Sequence, residues 1–187
     1  MLEQIKQSSL GNWQSIAVEI RPSSLKNEDG TLKPFYLKRL FSFLPEDRFE
    51  LEITNYADPF GEIPTAKMFI KGHVEWKGAH PIAEGAQKVD FTADESYEVT
   101  SLHQGFTDLL NNLAKERFEN WETGKSQDIL KKKFPPFGLA EGQIFKEYDL
   151  IYIVKNMMFW GARNIDGRGF DTEENRPTNL QIPMIRK

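Results

Sequence analysis

The chain has 187 residues, a formal net charge of −4 and no cysteine, and its mass is 21.7 kDa. This length fits one domain or two small ones, and 39% hydrophobic with 28% charged residues is typical of a soluble globule. The lack of cysteine excludes disulfides, thiol chemistry and Cys-ligated metals, and the acidic balance argues against nucleic acid as a partner. Because no apolar run could span a bilayer and no apolar leader segment opens the chain, we expect a cytoplasmic protein with no membrane span.

Alternating apolar and polar residues predict strands through the first half of the chain. The pattern is clearest around residues 35–43, where Phe35, Leu37, Phe41 and Phe43 share one face with a single cation, Arg39. The predicted strands of this half are Trp13–Ile20, Tyr36–Phe43, Phe49–Tyr56, Ala66–Trp76 and Gln87–Val99, the last of which contains a possible hairpin at Thr92–Ser96.

A helical insert is predicted near residues 101–133. Ser101 followed by Gln104 matches a capping box, and the apolar residues that follow occupy one stripe of a helix over Ser101–Trp121. A second, short helix is predicted from Ser126 to Lys133. Strands then resume at Gln143–Lys146, Leu150–Val154, Met157–Arg163 and Leu180–Ile185.

This order of elements predicts a mainly β fold. Many short strands joined by turns, with the helices grouped in one insert, are typical of an antiparallel barrel or a strongly curved sheet. No repeat, low-complexity tract or flexible linker interrupts residues 1–187, so we expect a single domain with the helix across one side or end of the barrel.

The start of the first strand resembles the Gly-x-Trp opening of lipocalins and other calycins, in the residues Gly11-Asn12-Trp13. In such barrels the Trp plugs the closed end beneath an Arg or Lys from a late strand. The resemblance makes Arg163, which follows Phe159-Trp160-Gly161-Ala162, the expected partner of Trp13 through a cation–π contact.

A second resemblance covers most of the chain and is to the adenomatosis polyposis coli down-regulated 1 family. It is carried by a series of short motifs in one order: Gly11-x-Trp13-x-Ser15, Glu19-x-Arg21-Pro22, Leu37-x-Arg39, Tyr56-Ala57-Asp58-Pro59, Pro64-Thr65, Lys71-Gly72, Gly85-Ala86 and Arg176-Pro177-Thr178-x-x-Gln181-x-Pro183.

The second resemblance implies a barrel-like domain whose apolar pocket accepts a lipid chain. Animal members of the family are secreted or membrane-anchored inhibitors of Wnt signalling with paired cysteines. Here Val18 and Gly61 stand where the family pattern has cysteines, so this chain is expected to keep the pocket rather than the signalling role. The resemblance supplies no catalytic residues.

Arg39 is the first candidate for a binding role, because it interrupts an apolar strand face. A cation that points into a barrel needs an acceptor, which is either the carboxylate of an amphipathic ligand or a buried Glu or Asp. Tyr56 with Asp58 is a candidate for the barrel rim, although Asp58-Pro59 also signals a turn. The expected ligand-binding residues are Phe35, Leu37, Arg39, Phe41, Tyr56, Phe69 and Tyr152.

Other polar pairs favour structural roles. His73 and Glu75 share a strand face with Lys71, which is typical of a solvated outer surface rather than a metal or acid–base site. Glu19 and Arg21 also share a face, as a surface ion pair or, following the family resemblance, as a buried one. Without metal-ligand spacing or a phosphate-binding glycine motif, we predict no metal and no cofactor.

These features favour a binding protein or carrier for a small hydrophobic or amphipathic ligand. The alternative is a cofactor-free barrel enzyme, a cyclase, isomerase or lyase that acts by orienting a hydrophobic substrate. A third hypothesis is a protein-interaction module that presents the lysines of residues 126–136 to an acidic partner.

Overall fold

Antiparallel strands make up most of the fold. The structure is a computed structural model that describes residues 2–187. Its strands are β1 (Gly11–Ser15), β2 (Glu19–Lys26), β3 (Leu32–Leu44), β4 (Arg48–Tyr56), β5 (Pro64–Ala79), β6 (Gln87–Ser101), β7 (Ser126–Asp128), β8 (Lys146–Val154), β9 (Met157–Trp160) and β10 (Met184–Arg186); its α-helices are α1 (Leu2–Ser9) and α2 (Gln104–Leu113), with 3-10 turns at Pro135–Phe137 and Glu173–Asn175.

Eight of the strands close into a ring. Their order is β1-β10-β9-β8-β6-β5-β4-β3, and β1 pairs with β3 to complete the circuit. Every pairing in the ring is antiparallel. The predicted mainly β class, with an antiparallel barrel or strongly curved sheet, is therefore confirmed. A ring of eight strands is just wide enough to be filled by side chains or to hold one small ligand.

The ring is complete at one end and interrupted at the other. One half of β3 pairs with β1 and its other half with β2. Along one edge of β6, the first half pairs with β8 and the last residues pair with β7. The closed end carries α1 and the β3–β4 turn. The open end carries the β4–β5 turn at residues 57–63, the insert at 102–145 and the β9–β10 loop at 161–183, because successive strands run in opposite directions.

Trp13 fills the closed end and is fully buried. The guanidinium carbon of Arg186 lies 4.3 Å from the centroid of its ring, and the same guanidinium donates hydrogen bonds to the carbonyls of Leu10 and Ser8. The Trp13 indole donates to the carbonyl of Ser9 at the end of α1. The predicted cation–π contact exists, but its partner is Arg186 and the expectation for Arg163 was wrong, since Arg163 follows β9 at the open end.

Several predicted strand limits change for identifiable reasons. The predicted strand Trp13–Ile20 is divided into β1 and β2, which pair with different halves of β3. The expected hairpin at Thr92–Ser96 is instead a bulge within β6. There Lys71 pairs with Ser96 and His73 with Thr92, so the extra residues bend the strand without reversing it.

The insert contains less helix than its apolar stripe predicts. Helix α2 begins at Gln104, and its N-cap is His103, whose ring nitrogen accepts from the Gly105 N–H, so the expected Ser101 cap was wrong. The helix ends at Leu113 because the chain turns back on itself. The side-chain amide of Asn111 donates to the carbonyl of Trp121 and accepts from its N–H. These two hydrogen bonds hold Trp121 in the core beside the helix.

The second predicted helix, Ser126–Lys133, is absent from the described residues 2–187. Its first part is β7, which pairs with the open-end half of β6, and Ile129 follows as a fully buried side chain. Lys131 has a positive φ of 58°, which no helix residue adopts. The three lysines, Lys131 to Lys133, therefore follow β7 in a turn and do not end a helix.

The β9–β10 loop is fastened to the outside of the barrel by Arg176. Its guanidinium donates to the carbonyls of Val89 and Asp149 and forms a 2.6 Å ion pair with Asp90. Asp90 is 1% exposed, so the pair is shielded from solvent. This anchor covers the outer face of β6 and β8 and holds the loop near the open end, where part of it borders the interior cavity.

Candidate functional site

A cavity of about 460 Å³ occupies the interior between the aromatic core and the open end. Its floor is a cluster of four aromatic side chains from β3, β4, β6 and β9. Ring centroids in this cluster lie 4.7 Å apart for Phe41 and Trp160, 5.0 Å for Phe91 and Trp160, and 5.3 Å for Phe41 and Phe49. Aromatic packing at these distances gives the cavity a rigid base.

One side of the cavity is apolar. Strands β4, β5 and β6 supply aliphatic side chains, and the insert adds two aromatic rings above them. Tyr97 links the two parts, because its ring lies 6.3 Å from that of Phe137 and 5.9 Å from that of Phe145. The aliphatic lining of this side is formed by Leu51, Ile53, Met68, Ile70 and Ala93.

The opposite side is charged and lies near β2, β8 and the β9–β10 loop. Three arginines line it, Arg21, Arg39 and Arg163, together with Lys146, Glu147 and Asp171. The cavity thus has an apolar half and a polar half, which is the division of surface expected for an amphipathic molecule.

Glu19 holds two of these arginines and shares the inward face of β2 with Arg21. It is 2% exposed, and its carboxylate accepts from Arg39 Nε at 2.9 Å and from Arg21 Nη2 at 2.7 Å. Burial raises the pKa of Glu19, but the charges of Arg39 and Arg21 and hydrogen bonds from Arg39 and Ser15 outweigh it, so the pKa falls from 4.5 to about 2. The predicted pairing of Arg39 with a buried carboxylate is therefore present, and Glu19 with Arg21 forms a buried pair.

Three buried polar atoms in the cavity lining have no hydrogen-bond partner within residues 2–187. They are Arg39 Nη2, Trp160 Nε1 and Asn55 Oδ1. Two are donors and one is an acceptor. Buried polar groups in proteins are almost always paired, so these three unpaired atoms are exceptions among the residues of the cavity lining.

Asp149 lies on β8, on the same inward face as Glu147, and is 2% exposed. Its Oδ1 accepts from the N–H groups of Leu150 and Gly161 at 2.7 and 3.0 Å. Burial and the charge of Glu147 raise the pKa of Asp149 from 3.8 to about 7, against the opposing effects of the Leu150 hydrogen bond and the arginines.

We expect Asp149→Asn to stabilise the protein, and to do so clearly more at pH 8 than at pH 5. Because folding raises the pKa of Asp149, ionising its carboxyl costs more in the folded chain than in the unfolded chain. The wild type therefore loses stability as pH rises from 3.8 through about 7. The amide removes this cost, and we expect a gain of more than about 1 kcal/mol at high pH from urea unfolding.

The exposed substitution Asp166→Asn is the control for net charge and should change stability equally at both pH values. A gain for Asp149→Asn of the same size at pH 5 and pH 8 would contradict a neutral Asp149 in the folded protein.

Four of the seven predicted ligand-binding residues line the cavity, and three do not. Phe35, Leu37, Arg39 and Phe41 project inward from β3. The placement of Phe69 and Tyr152 inside the barrel was wrong, and Tyr56, which was expected at the barrel rim, is not part of the cavity lining. Phe69 points outward, with the Lys71 ammonium 5.1 Å from its ring; Tyr56 lies outside beside Lys38; and Tyr152 packs on Phe159 on the outer face.

The remaining polar candidates are structural. Asp58 accepts hydrogen bonds from the N–H groups of Phe60, Glu62 and Ile63, which makes it the organiser of the β4–β5 turn. His73 is on the outer surface, where its ring lies 2.9 Å from Asp94. The interpretations of Asp58 as a turn residue and of His73 as a surface residue therefore agree with the structure.

Sequence reasoning missed Trp160, Arg163, Asn55 and Glu147 in the cavity lining, and Asp149 on the same strand face as Glu147. Arg163 lies over Phe35, 5.2 Å from its ring centroid, and donates to the carbonyl of Gly167. The one signal in the sequence was Glu147-x-Asp149 on a single strand face, since two carboxyls in a strand that is otherwise apolar are unusual.

No known family model matches the chain. Within residues 2–187, no group of three or more His, Asp or Glu side chains is arranged to hold a metal ion. Among the same residues, no helix combines the length and apolar character needed to cross a bilayer.

Proposed function

We propose that this protein binds a small amphipathic molecule in the barrel cavity and acts as its carrier or binding protein. The observation that carries the proposal is the cavity itself, about 460 Å³ inside a barrel, apolar on one side and lined by three arginines on the other. Small-molecule sites commonly occupy about 300–1,000 Å³ and combine apolar walls with a few polar groups.

The surface around the open end supports this proposal. Large apolar side chains are exposed on β2 and on segments at the open end, namely the β4–β5 turn, α2 and the β9–β10 loop. Contiguous exposed apolar surface is typical of ligand-binding and interaction sites. These residues are Ile20, Leu25, Phe60, Ile63, Leu109, Leu113 and Ile165.

The resemblance to the adenomatosis polyposis coli down-regulated 1 family belongs to the same proposal. That family's domain is expected to accept a lipid chain, and the motif residues Glu19, Arg21 and Arg39 lie together at the polar side of the cavity. A fatty acid or similar chain is therefore the first ligand to test.

Titration of the delipidated protein with Nile red, a neutral dye that fluoresces in apolar surroundings, tests the proposal. We expect saturable binding of one dye per chain and its displacement by myristic acid. Ala93→Phe should weaken binding at least about tenfold, because the larger side chain fills part of the cavity in which Ala93 is a lining residue.

The matched control is Phe69→Leu, since Phe69 lies on the outer face of the sheet and should leave the affinity unchanged. Circular dichroism and a melting curve establish that both variants are folded. A folded wild type that shows no saturable binding at tens of micromolar dye would contradict the proposal.

A cofactor-free barrel enzyme is the second candidate, and the Glu147–Asp149 pair is the observation that favours it. Asp149, whose pKa is raised to about 7, suits general acid–base chemistry, and it lies two residues along β8 from Glu147, which lines the cavity. Mass spectrometry of the ligand recovered after incubation separates the two functions, because a binding protein returns it unchanged.

A further inference from the structure

We infer that the cavity selects ligands with a carboxylate head group, which binds between Arg39 Nη2 and Trp160 Nε1 while the apolar part lies against β4, β5 and the insert. This inference rests on the proposed function and adds the chemical class of the ligand. It depends on three features: two unpaired donors, a fixed guanidinium and the charge balance of the polar side.

The two donors are deeply buried. Arg39 is 7% exposed and Trp160 is 1% exposed, and neither Arg39 Nη2 nor Trp160 Nε1 has an acceptor among residues 2–187. Both residues belong to the cavity lining. A carboxylate offers two acceptor oxygens and no donor, so it can satisfy both N–H groups together, whereas an ester or an alcohol is a weaker acceptor.

Arg39 is held in one orientation. Its Nε is bound to Glu19 at 2.9 Å, and its guanidinium carbon lies 4.8 Å from the centroid of the Trp160 ring. Glu19 accepts from Nε and not from Nη2, so Nη2, on the same edge of the guanidinium, keeps its N–H groups for a ligand. A donor that is already fixed loses little conformational freedom when it binds.

The surrounding charges favour an anion. Arg21 and Arg39 share the single carboxylate of Glu19, and burial together with the charge of Arg21 lowers the pKa of Arg163. Two arginines close enough to oppose each other's charge are stabilised by an added negative group.

The other charged groups near this side are Lys146, Glu147 and Asp171 in the lining, and Asp149, two residues from Glu147 on β8. Glu147 competes with a ligand carboxylate, because its negative charge already stabilises Arg21 and Arg163 and repels a second anion. Removing the charge of Glu147 should therefore strengthen the binding of an anionic ligand, which gives the inference a test of opposite sign.

Displacement of Nile red by three ligands of the same chain length tests the head-group preference. They are myristic acid, myristyl alcohol and methyl myristate, compared at neutral pH with the same protein. We expect the acid to bind about tenfold more tightly than the alcohol or the ester, the size of effect that one charge-assisted hydrogen-bonded pair produces.

Three variants assign the preference to these residues. Trp160→Phe keeps an aromatic ring beneath Arg39 but removes the Nε1 donor, and should reduce the advantage of the acid by about threefold or more. Arg39→Lys keeps a cation for Glu19 and should reduce it further. Glu147→Gln should raise affinity for the acid about threefold and leave that for the alcohol unchanged.

Glu52→Gln is the matched control for Glu147→Gln, because Glu52 pairs with Lys67 on the outer surface and carries the same charge. Equal affinities for the acid and the alcohol in the wild type would overturn the inference while leaving the proposed function standing. So would a Glu147→Gln protein that binds the acid no better than the wild type. If none of the three ligands displaces the dye, the proposed function fails and the inference fails with it.

Discussion

Replacing Glu19 with Gln should lower the free energy of unfolding by about 3–5 kcal/mol at neutral pH. The substitution preserves shape but removes the one carboxylate that bonds both Arg21 and Arg39. Two buried guanidinium groups would then lack their common counter-ion. Breaking one side of a buried ion pair costs far more than losing a surface pair, because the remaining charge stays desolvated.

The pH dependence of this effect follows from the pKa of Glu19, which is about 2 in the folded chain against an ordinary 4.5. Because the folded pKa is depressed, the stability from the carboxylate is present above pH 4.5 and is lost as pH falls toward 2. The difference between the two pKa values corresponds to about 3 kcal/mol. The wild type should therefore lose most of its advantage over Glu19→Gln between these pH values.

Urea unfolding at pH 7 and pH 3 measures both effects. Glu50→Gln is the matched control, since Glu50 pairs with Lys71 at 2.9 Å on the outer surface and should cost less than about 1 kcal/mol. A Glu19→Gln protein as stable as Glu50→Gln at pH 7 would show that the arginines do not depend on this carboxylate.

The alternation within β3 was sufficient to identify its inward face. Phe35, Leu37, Arg39 and Phe41 all line the cavity, because a strand with one solvated face has only one hydrophobic set to bury. The same rule, applied consistently, excludes Phe69. It lies between the inward Met68 and Ile70 on β5 and shares the outer face with Lys71.

The alternation rule cannot orient the centre of β8, where Asp149, Leu150 and Ile151 are all buried. The loop fastened by Arg176 covers the outer side, so Leu150 and Ile151 are both fully buried although they point in opposite directions. A strand of this kind has no alternation from which to orient Tyr152. Its face is settled by pairing, since Ile151 lies opposite the inward Trp160.

The charged side of the cavity depends on contacts between residues far apart in sequence. Glu19 meets Arg39 across the β2–β3 pair, and Arg39 meets Trp160 only because the ring closes through β10 and β1. The prediction that Arg163, and not Arg186, contacts the ring of Trp13 was wrong for the same reason. Local patterns predict which residues form strands, but which ends of those strands meet is decided by the closure of the barrel.

Gly72→Ala should destabilise the protein by about 3 kcal/mol or more, since overpacking against a rigid backbone is the costly form of a small-to-large change. Gly72 lies in β5 opposite the bulge of β6. A methyl group there would lie 1.8 Å from the backbone oxygen of Thr92 and 2.9 Å from Asp94 Oδ1. The first contact is with main chain, so no side-chain rotation can relieve it, and β5 must separate from β6.

The change acts where the sheet bends to close the ring. Register shifts between the Lys71–Ser96 and His73–Thr92 pairs, and the close approach of the two backbones at this point requires a residue without a side chain. Gly169→Ala is the matched control, because its nearest atom would be Arg163 Nη2 at 3.7 Å, an ordinary contact. Thermal unfolding should place the Gly169→Ala melting temperature near that of the wild type and that of Gly72→Ala well below it. Equal melting temperatures for the two variants would mean that β5 and β6 do not approach as closely as the bulge requires.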